Sequence, residues 1–229
     1  MNTSASPPQV SGRILVENVR FSFTEGIWTA STPKGVTGDP AYNVQAILPP
    51  THPQLPALSQ LIQQAAQKQW KGQAIGPNGQ PMPEWQAVLA VAQVAGKIFL
   101  RNGNTKKYEG YAGNYFIACR SKGTGPRPKV YDGMLNGKPR EVFKREDSRI
   151  YSGCYGNLLI DVFPYTRGSN GIGASFKAIQ FVKDGESLGG SAPAQADEMG
   201  VTEESATAAA EFGALFGVPG PAGSAGFQL

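Results

Sequence analysis

Alternation of apolar and polar residues divides residues 149–163 into two faces, as expected of a long strand. One face holds Ile150, Cys154, Leu158, Ile160 and Val162, a core set. The other holds Arg149, Tyr151, Tyr155, Asn157, Asp161 and Phe163, and runs on to Tyr165. Gly153 and Gly156 interrupt the strand where a curled sheet needs a bulge or a tight bend. After a Gly-rich connection at 168–173, a second strand over 172–183 pairs back antiparallel. The aromatic and polar face has two readings at this point. Its rings meet a flat ligand, or they pack under a loop or another sheet.

The rest of the pattern is mostly strands around one strong helix. Residues 14–23 read as a first strand whose core parity slips near Glu17 and Asn18, which predicts a bulge. Residues 25–40 form a loop containing Trp28, and 42–48 a second strand with Tyr42, Val44, Ala46 and Leu48 on one side. Leu55, Leu58, Leu61, Ile62, Ala65, Ala66 and Trp70 then recur at helical spacing to about Lys71, with Gly72 as the stop. This helix starts either on a Thr51–Gln54 capping box or at Pro56. A turn over 75–83 precedes a second helix over 84–96, opened by Pro83.

Residues 101–113 read as a flexible basic and aromatic loop. The strand over 114–122 turns Tyr115, Ile117 and Cys119 to one face and Asn114, Phe116, Arg120 and Lys122 to the other. A short strand covers 129–131, and Asp132-Gly133 and Asn136-Gly137 both signal turns. Residues 138–149 are either a solvated hairpin or a ligand-facing loop. The expected class is mainly β with an inserted helix: an OB-like Greek-key β-barrel over 12–190. A disordered lead-in at 1–11 and a flexible tail at 191–229 flank it.

Charge adds a division that the pattern does not show. All 21 Lys and Arg lie at or before Lys183 with 10 of the 17 acids, so this body carries +11. The seven acids beyond it meet no base and give −7. A basic body joined to an acidic tail suits a nucleic-acid-binding chain. Other chemistries lack carriers. The single histidine, His52, excludes a His-based triad or a multi-histidine metal site. Cys119 and Cys154 form no C-x-x-C and read as buried thiols. Gly168, Gly171 and Gly173 lack phosphate-loop spacing and precede a strand rather than a helix. No cofactor or metal is expected, no enzymatic activity, and no membrane segment or signal peptide.

Cations and rings interleave in one region. Lys106, Lys107, Tyr108, Tyr111, Phe116, Arg120, Lys122, Arg127, Lys129 and Tyr131 are followed by Arg149, Tyr151, Tyr155, Phe163, Tyr165, Arg167 and Lys177. A single nucleic-acid strand needs both parts. Cations neutralise phosphates and release counterions, while rings stack exposed bases. The expected DNA-binding set is Lys106, Lys107, Tyr111, Phe116, Arg120, Lys122, Arg127, Lys129, Arg149, Tyr151, Tyr155, Phe163, Tyr165 and Lys177.

The runs N-V-R-F-S-F, A-Y-N-V-Q-A-I-L-P, G-N-Y-F-I-A-C-R-S, R-P-K-V-Y-D, I-Y-S-G-C-Y-G-N and G-I-G-A-S-F-K-A-I-Q-F-V-K-D-G-E-S-L-G-G, in this order, resemble the phage single-stranded DNA-binding proteins. This family was formerly a phage domain of unknown function. The resemblance spans about 12–190, and residues 83–107 match it less well. It implies an OB fold, single-strand binding in phage replication and recombination, and an acidic tail that contacts replication partners. Relatives often end in acids followed by a terminal aromatic, whereas this chain ends Gly-Phe-Gln-Leu. Within its tail, Glu203, Glu204 and Glu211 stand beside Phe212, Leu215 and Phe216 at helical spacing, either a partner-binding segment or part of a solubility tail. The expected partners are single-stranded DNA and replication or recombination proteins, with a homodimer left open and the bacterial cytoplasm as the compartment. A strand-annealing mediator and a virion protein using the aromatic face for protein contacts are the alternatives.

Overall fold

A computed structural model describes residues 12–32, 38–76 and 79–189 of the chain. The expected lead-in at 1–11 and the tail with Glu203, Glu204, Glu211, Phe212, Leu215 and Phe216 lie outside the described residues. Strands β1 (Gly12–Ser22) and β2 (Ala41–Leu48) come first. Helix α1 (Leu55–Gln69) and a hairpin of β3 (Gln73–Ile75) and β4 (Pro81–Pro83) lead to α2 (Glu84–Val94). Strands β5 (Leu100–Asn102), β6 (Tyr115–Lys122), β7 (Lys129–Leu135), β8 (Lys138–Val142), β9 (Tyr155–Tyr165) and β10 (Gly171–Lys183) complete the order.

Eight strands form one sheet in the order β5-β6-β2-β1-β9-β10-β7-β8. The sheet curls until its sixth strand meets its second. Ser121 Oγ on β6 donates to the Phe176 carbonyl on β10 at 2.7 Å. Residues 97–99 fill the remaining seam: Ala118 N donates to Phe99 O, Phe99 N to Ile172 O and Ile172 N to Lys97 O, at 2.9 to 3.1 Å. The closed order β1-β2-β6-β10-β9 is that of a five-stranded OB barrel, with β7–β8 added outside.

Alternation explains the interior. Leu158, Ile160 and Val162 of β9 meet Val16, Val19 and Phe21 of β1, Val44, Ala46 and Leu48 of β2, and Phe176 and Ile179 of β10. The parity slip in β1 is a bulge between Val16 and Val19, where Asn18 takes a φ of 52°. Helix α1 buries Leu58, Ile62, Ala65 and Ala66, and full burial of a Leu or Ile contributes roughly 1.5–3 kcal/mol. It begins at Leu55 without a side-chain cap, so the start near Pro56 holds and the Thr51–Gln54 box does not form.

Four expectations need correction. The long strand does not start at Arg149, because the chain turns at Gly153 with a φ of 117° and enters the sheet only at Tyr155. A Cβ there would run into the Glu186 carbonyl, so the turn requires glycine. Asp132-Gly133 is no hairpin turn but an irregularity within β7, and only Asn136-Gly137 reverses the chain. Residues 138–142 are therefore the returning strand of a hairpin. Residues 75–83 close a short hairpin rather than a plain turn. Residues 101–113 include most of β5 and a 3-10 turn at Gly103–Thr105, and they bury Tyr111 against the outer side of the barrel.

Candidate nucleic-acid interface

The outer side of β2 and β6 differs at its two ends. At one end Ile47, Phe116, Tyr111 and Leu188 form a small second core, with Phe116 1% exposed and Tyr111 0%. Tyr111 Oη donates to Gln45 Oε1 at 2.9 Å, and burial pushes its phenol up to about 12. Both residues are thus corrected from exposed rings to packed ones. Sequence parity placed Phe116 outside the barrel correctly. It could not show that Tyr111 and Leu188, from distant segments, cover it.

At the other end the surface is open and basic. Two adjoining clefts of about 490 and 570 Å³ share Arg120, Lys122 and Phe163. The first is lined by Lys97, Phe99, Arg101, Tyr165 and Gly173, among others. The second adds Arg13, Arg127, Lys129, Asp161 and Lys177. Among the described residues, eight cations therefore border one groove against two carboxylates, Asp39 and Asp161. The partly exposed Phe163 and Tyr165 lie among them on the outward face of β9.

Local contacts set how each cation is held. Arg120 Nη2 donates to the Asp39 carbonyl at 2.8 Å, and Arg101 Nε to the Ile98 carbonyl at 2.8 Å. Burial lowers the Arg101 pKa from its usual value, but an arginine stays charged at neutral pH. Arg127 packs 5.1 Å from the Trp28 ring centroid and donates to the Val142 carbonyl at 3.3 Å. Lys129 is engaged by Glu141 at 2.8 Å. Arg13 and Lys177 both meet Asp161, whose carboxyl the Arg13 hydrogen bond holds below its ordinary value.

Seven of the expected residues meet in this groove: Arg120, Lys122, Arg127, Lys129, Phe163, Tyr165 and Lys177. Arg149, Tyr151 and Tyr155 do not line it. Tyr151 Oη donates to the Gly185 carbonyl at 2.7 Å and accepts from Gly185 N at 3.0 Å. Tyr155 carries Lys183 over its ring at 4.8 Å. Arg149 lies over Phe181 and donates to Asp132 through its backbone N, Nε and Nη2, at 2.5 to 2.9 Å. Tyr151 and Tyr155 thus brace the end of β10 and the chain leaving it, and Arg149 ties β10 to β7. Lys106 sits 5.7 Å from the Phe116 ring centroid and lines a cleft of about 850 Å³ beside α1 and α2 that shares only Arg101 with the groove, while Lys107 is exposed. Sequence reading missed Arg13, Lys97 and Arg101. Arg13 carried one signal, since it faces Asp161 across the β1–β9 pairing.

The model of the family described as Enterobacter phage Enc34, ssDNA-binding protein, matches residues 12–209. The chain belongs to this family. A relative, protein p50 of Acyrthosiphon pisum secondary endosymbiont phage 1, is 36% identical over 99 residues. That match takes in 43% of this chain and half the length of p50. The Enc34 single-stranded DNA-binding protein in complex with ssDNA superposes with a TM-score of 0.57 at 18% identity, covering 81% of this chain and 97% of that one. The same Enc34 protein without DNA gives 0.52 at 18% identity, covering 85% and 96%. At that identity the likeness is one of fold, and the Enc34-family barrel is the one described above. No helix among the described residues is long and apolar enough to cross a membrane.

Proposed function

We propose that this chain binds single-stranded DNA along the groove on β6, β9 and β10, with little preference for sequence. One observation carries the reading: the fold gathers Phe163 and Tyr165 among eight cations. Rings stack any base, because every base has a π-face, and cations neutralise the strand's phosphates. Family membership supports it, as does the Enc34 protein solved in complex with ssDNA. The groove flanks β2 and β6, the strands whose equivalents in OB folds bind oligonucleotides. Phe163, Tyr165, Lys97, Arg101, Arg120, Lys122, Arg127 and Lys177 are the proposed contacts. We read the chain as a binding protein rather than an enzyme, acting in phage replication and recombination in the bacterial cytoplasm. Replication or recombination proteins as partners are part of this proposal, supported by the acidic stretch that follows the basic body.

Titration with a labelled oligonucleotide, single-stranded and then duplex, over a range of salt tests the reading. Tighter binding to the single strand with a steep loss at higher salt is expected. Equal affinity for both forms, or a flat salt response, overturns it.

A further inference from the structure

Two glycines of β10 stand directly across from two rings of β9: Gly173 pairs with Phe163, and Gly171 with Tyr165. Side chains at paired positions ordinarily stand up from the sheet beside one another. Here β10 offers no side chain, and the rings lie down across it. A Cβ built on Gly173 would sit 2.9 Å from Cζ of Phe163, 3.1 Å from Cε2 and 3.5 Å from Cε1. A ring pointing end-on would hold both Cε atoms much farther away than Cζ. Such similar distances mean that the ring turns its face to the glycine.

Tyr165 repeats the arrangement one step along. A Cβ on Gly171 would crowd Tyr165 Oη and sit 2.5 Å from both Tyr165 Cζ and the Lys97 carbonyl oxygen. That hydroxyl donates to the Lys97 carbonyl at 3.0 Å, which pins the ring across the barrel seam. Burial pushes the Tyr165 phenol up, so at neutral pH the proton stays on the donor. Both rings remain partly exposed, and both line the same cleft.

We infer that Gly171 and Gly173 are seats that hold Tyr165 and Phe163 flat, as a two-step platform for two successive unpaired bases of one strand. This rests on the single-strand reading above and specifies how the strand lies. Two residues along a strand advance about 6.6 Å. That is about twice the 3.4 Å step of a stacked strand. A strand seated on both rings must therefore be unstacked, a state open to single strands and closed to a duplex. Arg120 and Lys122 on one side and Lys97 and Arg101 on the other are placed to take its phosphates. The Gly-rich run that fails as a phosphate loop thereby gains a role in seating bases.

The test uses Gly173→Ala, Phe163→Ala, their double variant and Gly171→Ala in the full chain. Affinity for oligo(dT) is read by anisotropy, and folding by thermal melting. Phe163→Ala and Gly173→Ala should each weaken binding about tenfold. The double variant should bind no more weakly than either, because the glycine acts only through the ring. Removing the ring also relieves the crowding, so the double variant reports even if Gly173→Ala fails to fold. An oligonucleotide with two adjacent 2-aminopurines should brighten on binding the wild-type chain, as the pair unstacks, and brighten less with Gly171→Ala. The inference is overturned by a Gly173→Ala chain that binds like wild type, by a double variant tenfold weaker than Phe163→Ala, or by no brightening with the wild type. A wild-type chain that fails to bind oligo(dT) overturns the function itself. Wild-type binding lost in Phe163→Ala but kept in Gly173→Ala overturns the seats alone.

Discussion

Asp161 accepts two hydrogen bonds from Arg13, at 2.7 and 3.1 Å, on the outward face of the β1–β9 pair. Lys177 Nζ stands 3.4 Å from the same carboxylate. In the groove, Asp161 thus stands between two cations and neutralises them. Asp161→Asn should therefore strengthen single-strand binding and steepen its dependence on salt, because both cations become available to phosphate. Arg13 is 58% exposed, so the ion pair contributes little to stability and the variant should melt near the wild-type temperature. Titration across salt checks the first outcome, and calorimetry the second.

Asp132 is the buried counterpart. Its side chain is 1% exposed and accepts three hydrogen bonds from Arg149. Burial alone raises its pKa, but the Arg149 hydrogen bonds outweigh it and leave the net shift downward. Asp132→Ala should cost about 2 kcal/mol through the lost charge-assisted bonds. It should leave DNA affinity per folded molecule unchanged, since Asp132 does not line the groove.

Both Asp132 and Asp161 titrate below their ordinary values in the folded chain. The unfolded chain takes up protons first, at about pH 3.9. Their contribution to stability is then present above that pH and is lost as pH falls through it toward the lower folded pKa values. Melting temperature should hold from neutral pH to about pH 5 and fall below about pH 4. Asp132→Asn should flatten that fall, and an unchanged profile would count against the pairing.

The packed rings should separate from the binding rings. Phe116→Ala should destabilise the chain by about 3–5 kcal/mol through a cavity, with affinity per folded molecule kept. Arg120→Ala and Lys122→Ala should leave melting nearly unchanged, and each should lower the salt slope by about 1. Paired melting and binding curves check both outcomes.

How much the sequence showed depends on the range of the contacts involved. The face of β9 was legible because alternation is a local property: Leu158, Ile160 and Val162 are buried, and Asp161, Phe163 and Tyr165 face outward. The antiparallel hairpin and the β1 bulge were legible for the same reason. What covers an outward face was not. Phe116 had the parity expected of it, yet Leu188, beyond the end of β10, closes over the surface it occupies, while Tyr151 lies before β9 begins, packs against the main core and bonds to Gly185. Arg101 and Lys97 were missed because the barrel seam brings them beside Tyr165, from more than sixty positions away. Interleaving of charges and rings found five of the eight groove cations and both rings, and it missed Arg13, Lys97 and Arg101 because strand pairing brings cations together in a way their sequence spacing does not show.

Ultraviolet cross-linking of the full chain to oligo(dT), with the joined residues mapped by mass spectrometry, tests the groove most directly. Adducts at Phe163 or Tyr165 are the predicted result. Adducts confined to Tyr151 or Tyr155, with none in the groove, would contradict it.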